Sequence, residues 1–235
     1  MRIAVIQHRL LGTAQEDAAT LAHAAARAAR EGAKLVVLPD VFSIHADGAD
    51  AREGFSELLA PVPACCLVPH VGPGSAGAAF VVELPSGAGL PSGVGKVALL
   101  DGDSCMDAGE LASAAAEHPS IAVLLPRCEN DLQAEAVLEL AIALSDSLAG
   151  LVVVADSVGA EPGEPGHGGS AIILLGKVLA EAVGDDELLI ADITLPVPQP
   201  EPREPLPAIP PLLLQRLAFH QGRKLEVTEY HADTT

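Results

Sequence analysis

Aromatic side chains are nearly missing: the 235-residue chain has no Trp, one Tyr and four Phe. Its core must therefore be built from Ala, Val, Leu and Ile, and a pocket in it offers little for a ring to stack against. Basic residues are scarce as well, 13 Lys and Arg against 32 Asp and Glu, for a formal net charge of -19. Such a surface repels phosphate backbones, and no cluster of Lys, Arg and aromatics supplies a nucleic-acid track, so nucleic-acid binding is not expected. Long apolar runs are absent. A stretch such as Leu148 to Ala155 is far too short to cross a bilayer, and the opening Met1-Arg2-Ile3-Ala4-Val5-Ile6-Gln7 reads as a strand rather than a signal peptide. No membrane partner and a cytoplasmic location are the expectations.

Metal and nucleotide motifs are lacking too. The four Cys, at 65, 66, 105 and 128, have neither paired metal spacing nor a secreted disulfide pattern, so free thiols are expected. The eight His are scattered, with no His-x-x-x-His pair, and no metal site is expected. Gly93-x-Gly95-Lys96 is only a turn beside a true phosphate-binding loop. Ser157 and Ser170 stand near strand ends without an organised His and Asp.

What is present is a core: 49% of the residues are apolar and 19% charged, which excludes disorder. Residues 2–6 read as a strand. Thr13 precedes an Ala-rich helical stretch, 16–31, that Gly32 can stop, and 34–38 is a strand ending at Pro39. A helix is expected over 51–60, and short strands over 65–68, 79–84 and 94–100, cut by Pro and Gly clusters. Then follow a helix over 108–116, a strand over 121–125, a helix over 131–145 and a strand over 151–155. Beyond a Gly/Pro loop (158–169) lie strands over 170–175, 177–182 and 187–194. The Pro-rich stretch 196–211 reads as an extended arm, and 212–219 as a short helix. The alternation of strands and helices makes this an α/β protein with its sheet faces covered.

Several of these segments, in order, resemble the nitrilase-like carbon–nitrogen hydrolase superfamily. They are Arg2 to Gln7, Gly32 to Asp40, Gly95-Lys96-Val97-Ala98-Leu99, Ile121 to Leu125 with the turn after it, and Gly168 to Ile173 with Gly176 to Glu181 and Leu188 to Ile193. The resemblance covers about residues 1–195, leaving 196–235 as arm and tail. It implies a four-layer α-β-β-α sandwich that dimerises through helices, and a small amide-like compound as ligand, with no cofactor. It also implies a glutamate base, a cysteine nucleophile and a lysine that stabilises the oxyanion.

Here the base position is Asp40, one methylene short, the lysine position is Lys96, and the nucleophile position is Pro126, which attacks nothing. Cys128 could take the nucleophile's place only if the backbone shifted by two residues, about 6.6 Å. Asp40 reads either as a strand-end carboxylate capping its loop or as a remnant pocket residue. Lys96 reads as facing the pocket, with Asp40 as its partner, or as solvent-exposed. A further acid beside the base could be Asp101, Asp103 or Glu110. The expectation is a degenerate hydrolase fold kept as a binding or oligomerisation module. The competing class is an active amidase using Cys128, Asp40 and Lys96.

Overall fold

The computed structural model describes residues 1–42, 44–45, 48–68, 94–159 and 166–195. The strand expected over 79–84, the arm over 196–211 and the helix over 212–219 lie outside the described residues.

Strand β1 (Arg2–Arg9) leads into helix α1 (Ala14–Arg30), whose start is capped by the Thr13 side chain. The Thr13 hydroxyl accepts the Glu16 N–H at 3.3 Å and donates to the Glu16 carboxylate at 2.9 Å, an arrangement worth about 1 kcal/mol. Gly32, at φ +91°, closes the far end, where few side chains could follow. Strand β2 (Leu35–Val37), helix α2 (Gly48–Leu59) and strand β3 (Cys65–Leu67) complete the first half. The second half holds β4 (Val97–Asp101), a 3-10 turn (Gly102–Met106), α3 (Ala108–Ala116), β5 (Ile121–Leu125), α4 (Asp131–Leu148) and β6 (Leu151–Val154). Strands β7 (Ser157–Val158), β8 (Ala171–Leu174), β9 (Lys177–Glu181) and β10 (Glu187–Asp192) follow.

Two sheets result. One runs β10-β1-β2-β3, with β7 beside the end of β1, and the other runs β4-β5-β6-β8-β9. The period-2 alternation of side chains sorts the residues into layers. Ile3, Val5, Leu35 and Val37 meet Ile121, Val123, Leu151 and Val153 between the sheets. Their neighbours Ala4, Ile6 and Val36 turn outward onto α1 and α2, while Ala122, Leu124, Val152 and Val154 pack under α3 and α4. The order of layers is therefore α-β-β-α. Adjacent Cys65 and Cys66 divide in the same way, one into each core, and all four cysteines are free.

Candidate functional site

Strands β1, β2 and β3 are parallel in one sheet and β4, β5 and β6 in the other, so their C-terminal ends gather the loops. Functional groups of α/β sheets collect at such ends. Asp40 follows β2, Asp101 ends β4, Arg127 follows β5 and Asp156 follows β6.

Arg127 joins two of these acids. Its Nη2 donates to Asp40 Oδ2 at 3.1 Å and to Asp101 Oδ2 at 3.3 Å. The Asp40 side chain is 5% exposed and that of Asp101 17%, so the guanidinium neutralises charges that water hardly reaches. Burial is the main cause that holds the Asp101 carboxyl above its ordinary range. Arg127 opposes the rise, and Asp40 and Asp103 add to it. Arg127 also carries strain: its φ of 56° lies in the left-handed region that non-glycine residues enter at a cost. Its Nε is buried with no hydrogen-bond partner among the described residues.

Asp40 does cap its loop, accepting the Phe42 N–H at 3.1 Å. Its cationic partner, however, is Arg127 and not the expected Lys96. Lys96 is exposed just before the N-terminal end of β4, where its ammonium pairs with Glu117. The five residues of β4 separate that end from Asp101 by about 16 Å. The structure thus corrects the placement of Lys96 in the pocket. Of the three further acids considered, Asp101 is the one joined to Asp40, while Glu110 sits in the first turn of α3.

At the position that the resemblance assigns to the nucleophile, β5 runs straight into buried Pro126. Cys128 does not replace it. Its side chain lies in the core under α3 and α4, beside Cys105, and the residue is 1% exposed. Burial pushes the Cys128 thiol far above its ordinary range, and the nearby Asp156 and Cys105 push it further. The thiol hydrogen-bonds the Asp156 carboxylate, which also accepts N–H groups from Cys128 at 3.2 Å, from Ser157 at 2.8 Å and from His167. Burial still raises Asp156 to about 6, because those donors bring no formal positive charge. The shifted-nucleophile geometry is therefore absent: Cys128 and Lys96 do not converge with Asp40.

Reading the residues in order missed Arg127 and Asp156 as site members. The available signal was positional, since acids end three parallel strands. A second buried cluster was missed as well. Asp17, fully buried in α1, lies 2.8 Å from His8 Nε2 and 2.7 Å from His45 Nε2, and it accepts the Leu11 N–H at 2.8 Å. Among the described residues no group of three His, Cys, Asp or Glu is placed to hold a metal ion, and no helix is long and apolar enough to cross a membrane.

No family model matches the chain, and no curated protein does. Solved structures do. A variant of the amidase from Nesterenkonia sp. AN1 with acrylamide added at its active-site cysteine aligns with a TM-score of 0.64 at 20% identity, over 83% of this chain and 93% of that one. A cysteine-to-serine variant of the same amidase, described as from the nitrilase superfamily, gives 0.62 at 20% identity over 83% and 92%. A cysteine-to-alanine variant in complex with butyramide gives 0.63 at 19% identity over 82% and 90%. The layers, the two sheets and these alignments agree: the chain has the four-layer α-β-β-α fold of the nitrilase-superfamily amidases.

Proposed function

We propose that this chain is a non-hydrolytic protein on the amidase fold, kept as a binding or oligomerisation module. The observation that carries the reading is Arg127 at the end of β5, next to Pro126, with its guanidinium spanning Asp40 and Asp101. A cysteine hydrolase needs a thiolate beside a free base in a pocket. At this position a proline precedes a cation that engages the base. Cys128 is sealed in the core against a carboxylate, and that environment disfavours thiolate formation. Lys96, the residue the resemblance assigns to the oxyanion, stands at the opposite end of β4, paired with Glu117.

The test uses compounds that the similar amidases bind or react with. The native protein is incubated with butyramide while ammonia is measured, and with fluoroacetamide, whose acetamide moiety is added covalently at the active-site cysteine in a variant of the Nesterenkonia amidase, followed by mass spectrometry. The expected result is no ammonia above background and no adduct. Ammonia release, or an adduct on Cys128, would restore the amidase reading with Cys128 as its nucleophile. Sedimentation of the full chain tests the module reading, for which a homo-oligomer is the expected state.

A further inference from the structure

The end of β1 is fastened to the turn 183–186, which carries the chain from β9 in one sheet to β10 in the other. Two adjacent β1 residues hold this turn from opposite faces of the strand. Gln7 Nε2 donates to the Gly184 carbonyl, while its Oε1 accepts the Ser170 N–H at 2.8 Å. His8 is buried, and both of its ring nitrogens meet carboxylates. Nε2 lies 2.8 Å from Asp17 Oδ1, and Nδ1 lies 3.0 Å from Asp186 Oδ1. The same Asp186 oxygen accepts the Arg9 N–H at 3.0 Å. His8 and Asp186 also form part of the wall of a surface cavity of about 280 Å³ beside α1 and β10, which Leu21, Arg27 and Leu188 line as well.

A neutral imidazole has one N–H and one lone pair. Between two carboxylates it donates to one and turns its lone pair on the other, so both contacts are hydrogen bonds only when His8 is an imidazolium. The two acids are not equivalent. Asp17 is fully buried, accepts the Leu11 N–H and meets His45 Nε2, and taking the His8 donor away would leave a buried charge short of a partner. The Asp186 side chain is 62% exposed, and water can replace its partner. A His8 with one proton therefore keeps it on Nε2 and leaves Nδ1 bare toward Asp186. The other charges near the ring are Arg9, paired with Asp185 of the turn at 2.9 Å, and Arg27 of α1 and Glu187 of β10 around the cavity. Strand β7, beside His8 and Arg9, adds the uncharged Ser157 and Val158.

We infer that His8 is a proton-dependent clasp: as an imidazolium it ties Asp186 to the end of β1 and to α1, and on losing its Nδ1 proton it releases Asp186 from the cavity wall as the pH rises. Histidine is the residue type suited to such a role near neutral pH. Gly184 stays held by Gln7, whose amide does not titrate, so the movement is confined to Asp185 and Asp186. The pairing of Arg9 with Asp185 is about half exposed on both sides and is too weak to hold the turn alone.

Arg9 supplies the reporter, because its amide has Asp186 as its acceptor. Hydrogen exchange of the full chain, read by NMR and corrected for the intrinsic pH dependence of exchange, should show the protection of the Arg9 amide falling at least about tenfold from pH 6 to pH 9, with the β5 amides unchanged. The imidazole nitrogen shifts of His8 should show protons on both nitrogens at pH 6 and on Nε2 alone at pH 9, with the same midpoint. An amide in place of the Asp186 carboxylate can accept from a protonated Nδ1 or donate to a bare one. Asp186→Asn, on the exposed turn, should therefore keep Arg9 protected at both pH values. Native Arg9 protection that is the same at pH 6 and pH 9, or that falls equally in Asp186→Asn, would overturn the inference, as would a single proton on the His8 ring at pH 6.

Discussion

Asp17 in α1 and Asp156 at the end of β6 are the same residue, 0% and 2% exposed, yet they titrate in opposite directions. Burial alone would push Asp17 up, but hydrogen bonds from His8 and His45 and from the Leu11 N–H outweigh it and hold the carboxyl below its usual range. Asp156 receives a similar number of hydrogen bonds, but they come from backbone N–H groups and a thiol, and burial wins. The difference lies in whether a group able to carry positive charge stands beside the carboxylate. At the strand ends Arg127 is that group, and it serves Asp40 and Asp101 rather than Asp156.

Breaking the Asp17 side of this comparison should have the largest effect. Asp17→Ala leaves two buried or nearly buried imidazoles and the Leu11 N–H without their acceptor, at a cost of about 3–5 kcal/mol, read by urea denaturation at pH 7. Because the folded-state value is depressed, Asp17 stabilises the fold at pH values above its unfolded value of about 4, and this contribution is lost as the pH falls through the folded value.

Asp156 has the opposite sign. A folded value of about 6 against about 4 unfolded gives a contribution fully present below pH 4 and lost as the pH rises through 6. The stability of the native chain relative to Asp156→Asn should therefore fall by about 3 kcal/mol between pH 4 and pH 7. Denaturation series of both proteins across that range check the slope.

Arg127→Ala sharpens the comparison by giving Asp40 and Asp101 the environment of Asp156. It should destabilise the fold by about 2 kcal/mol at pH 7, even though relief of the left-handed strain offsets part of the loss, and the deficit should shrink on acidification. The smallest effect belongs to Lys96→Ala. Its exposed pairing with Glu117 should leave the denaturation midpoint unchanged within error, a result that a buried, pocket-facing lysine would not give.

The framework was legible wherever local signals coincide. Helix α3 has an Asp107 cap that accepts the Gly109 and Glu110 N–H groups, and its expected span, 108–116, matches the structure. Strand β5 is an uninterrupted apolar run between a turn and Pro126, and it matches too. Helix α4 continues to Leu148, three residues past its expected end, because it stops on a left-handed Ala149 rather than a glycine. The two-residue β7 exists through pairing with the end of β1 and has no local pattern.

The site was less legible, for two reasons. A short motif such as Gly95-Lys96-Val97-Ala98-Leu99 does not say which end of its strand carries the lysine, and here it precedes the strand. Buried charged groups also meet over long separations, Arg127 with Asp40 across 87 positions and His8 with Asp186 across 178, which no window of sequence contains.

The central claim is that none of the four buried cysteines is reactive in the folded chain. It is tested most directly by alkylating the native protein with iodoacetamide at pH 8 and following each cysteine by peptide mass spectrometry. Burial raises all four thiols, Cys65 to about 11 and Cys66 to about 12, with Cys105 and Cys128 higher still. The account predicts that Cys128 is modified only as fast as the whole protein unfolds. Rapid modification of Cys128 in the folded protein, ahead of the other three, would contradict it.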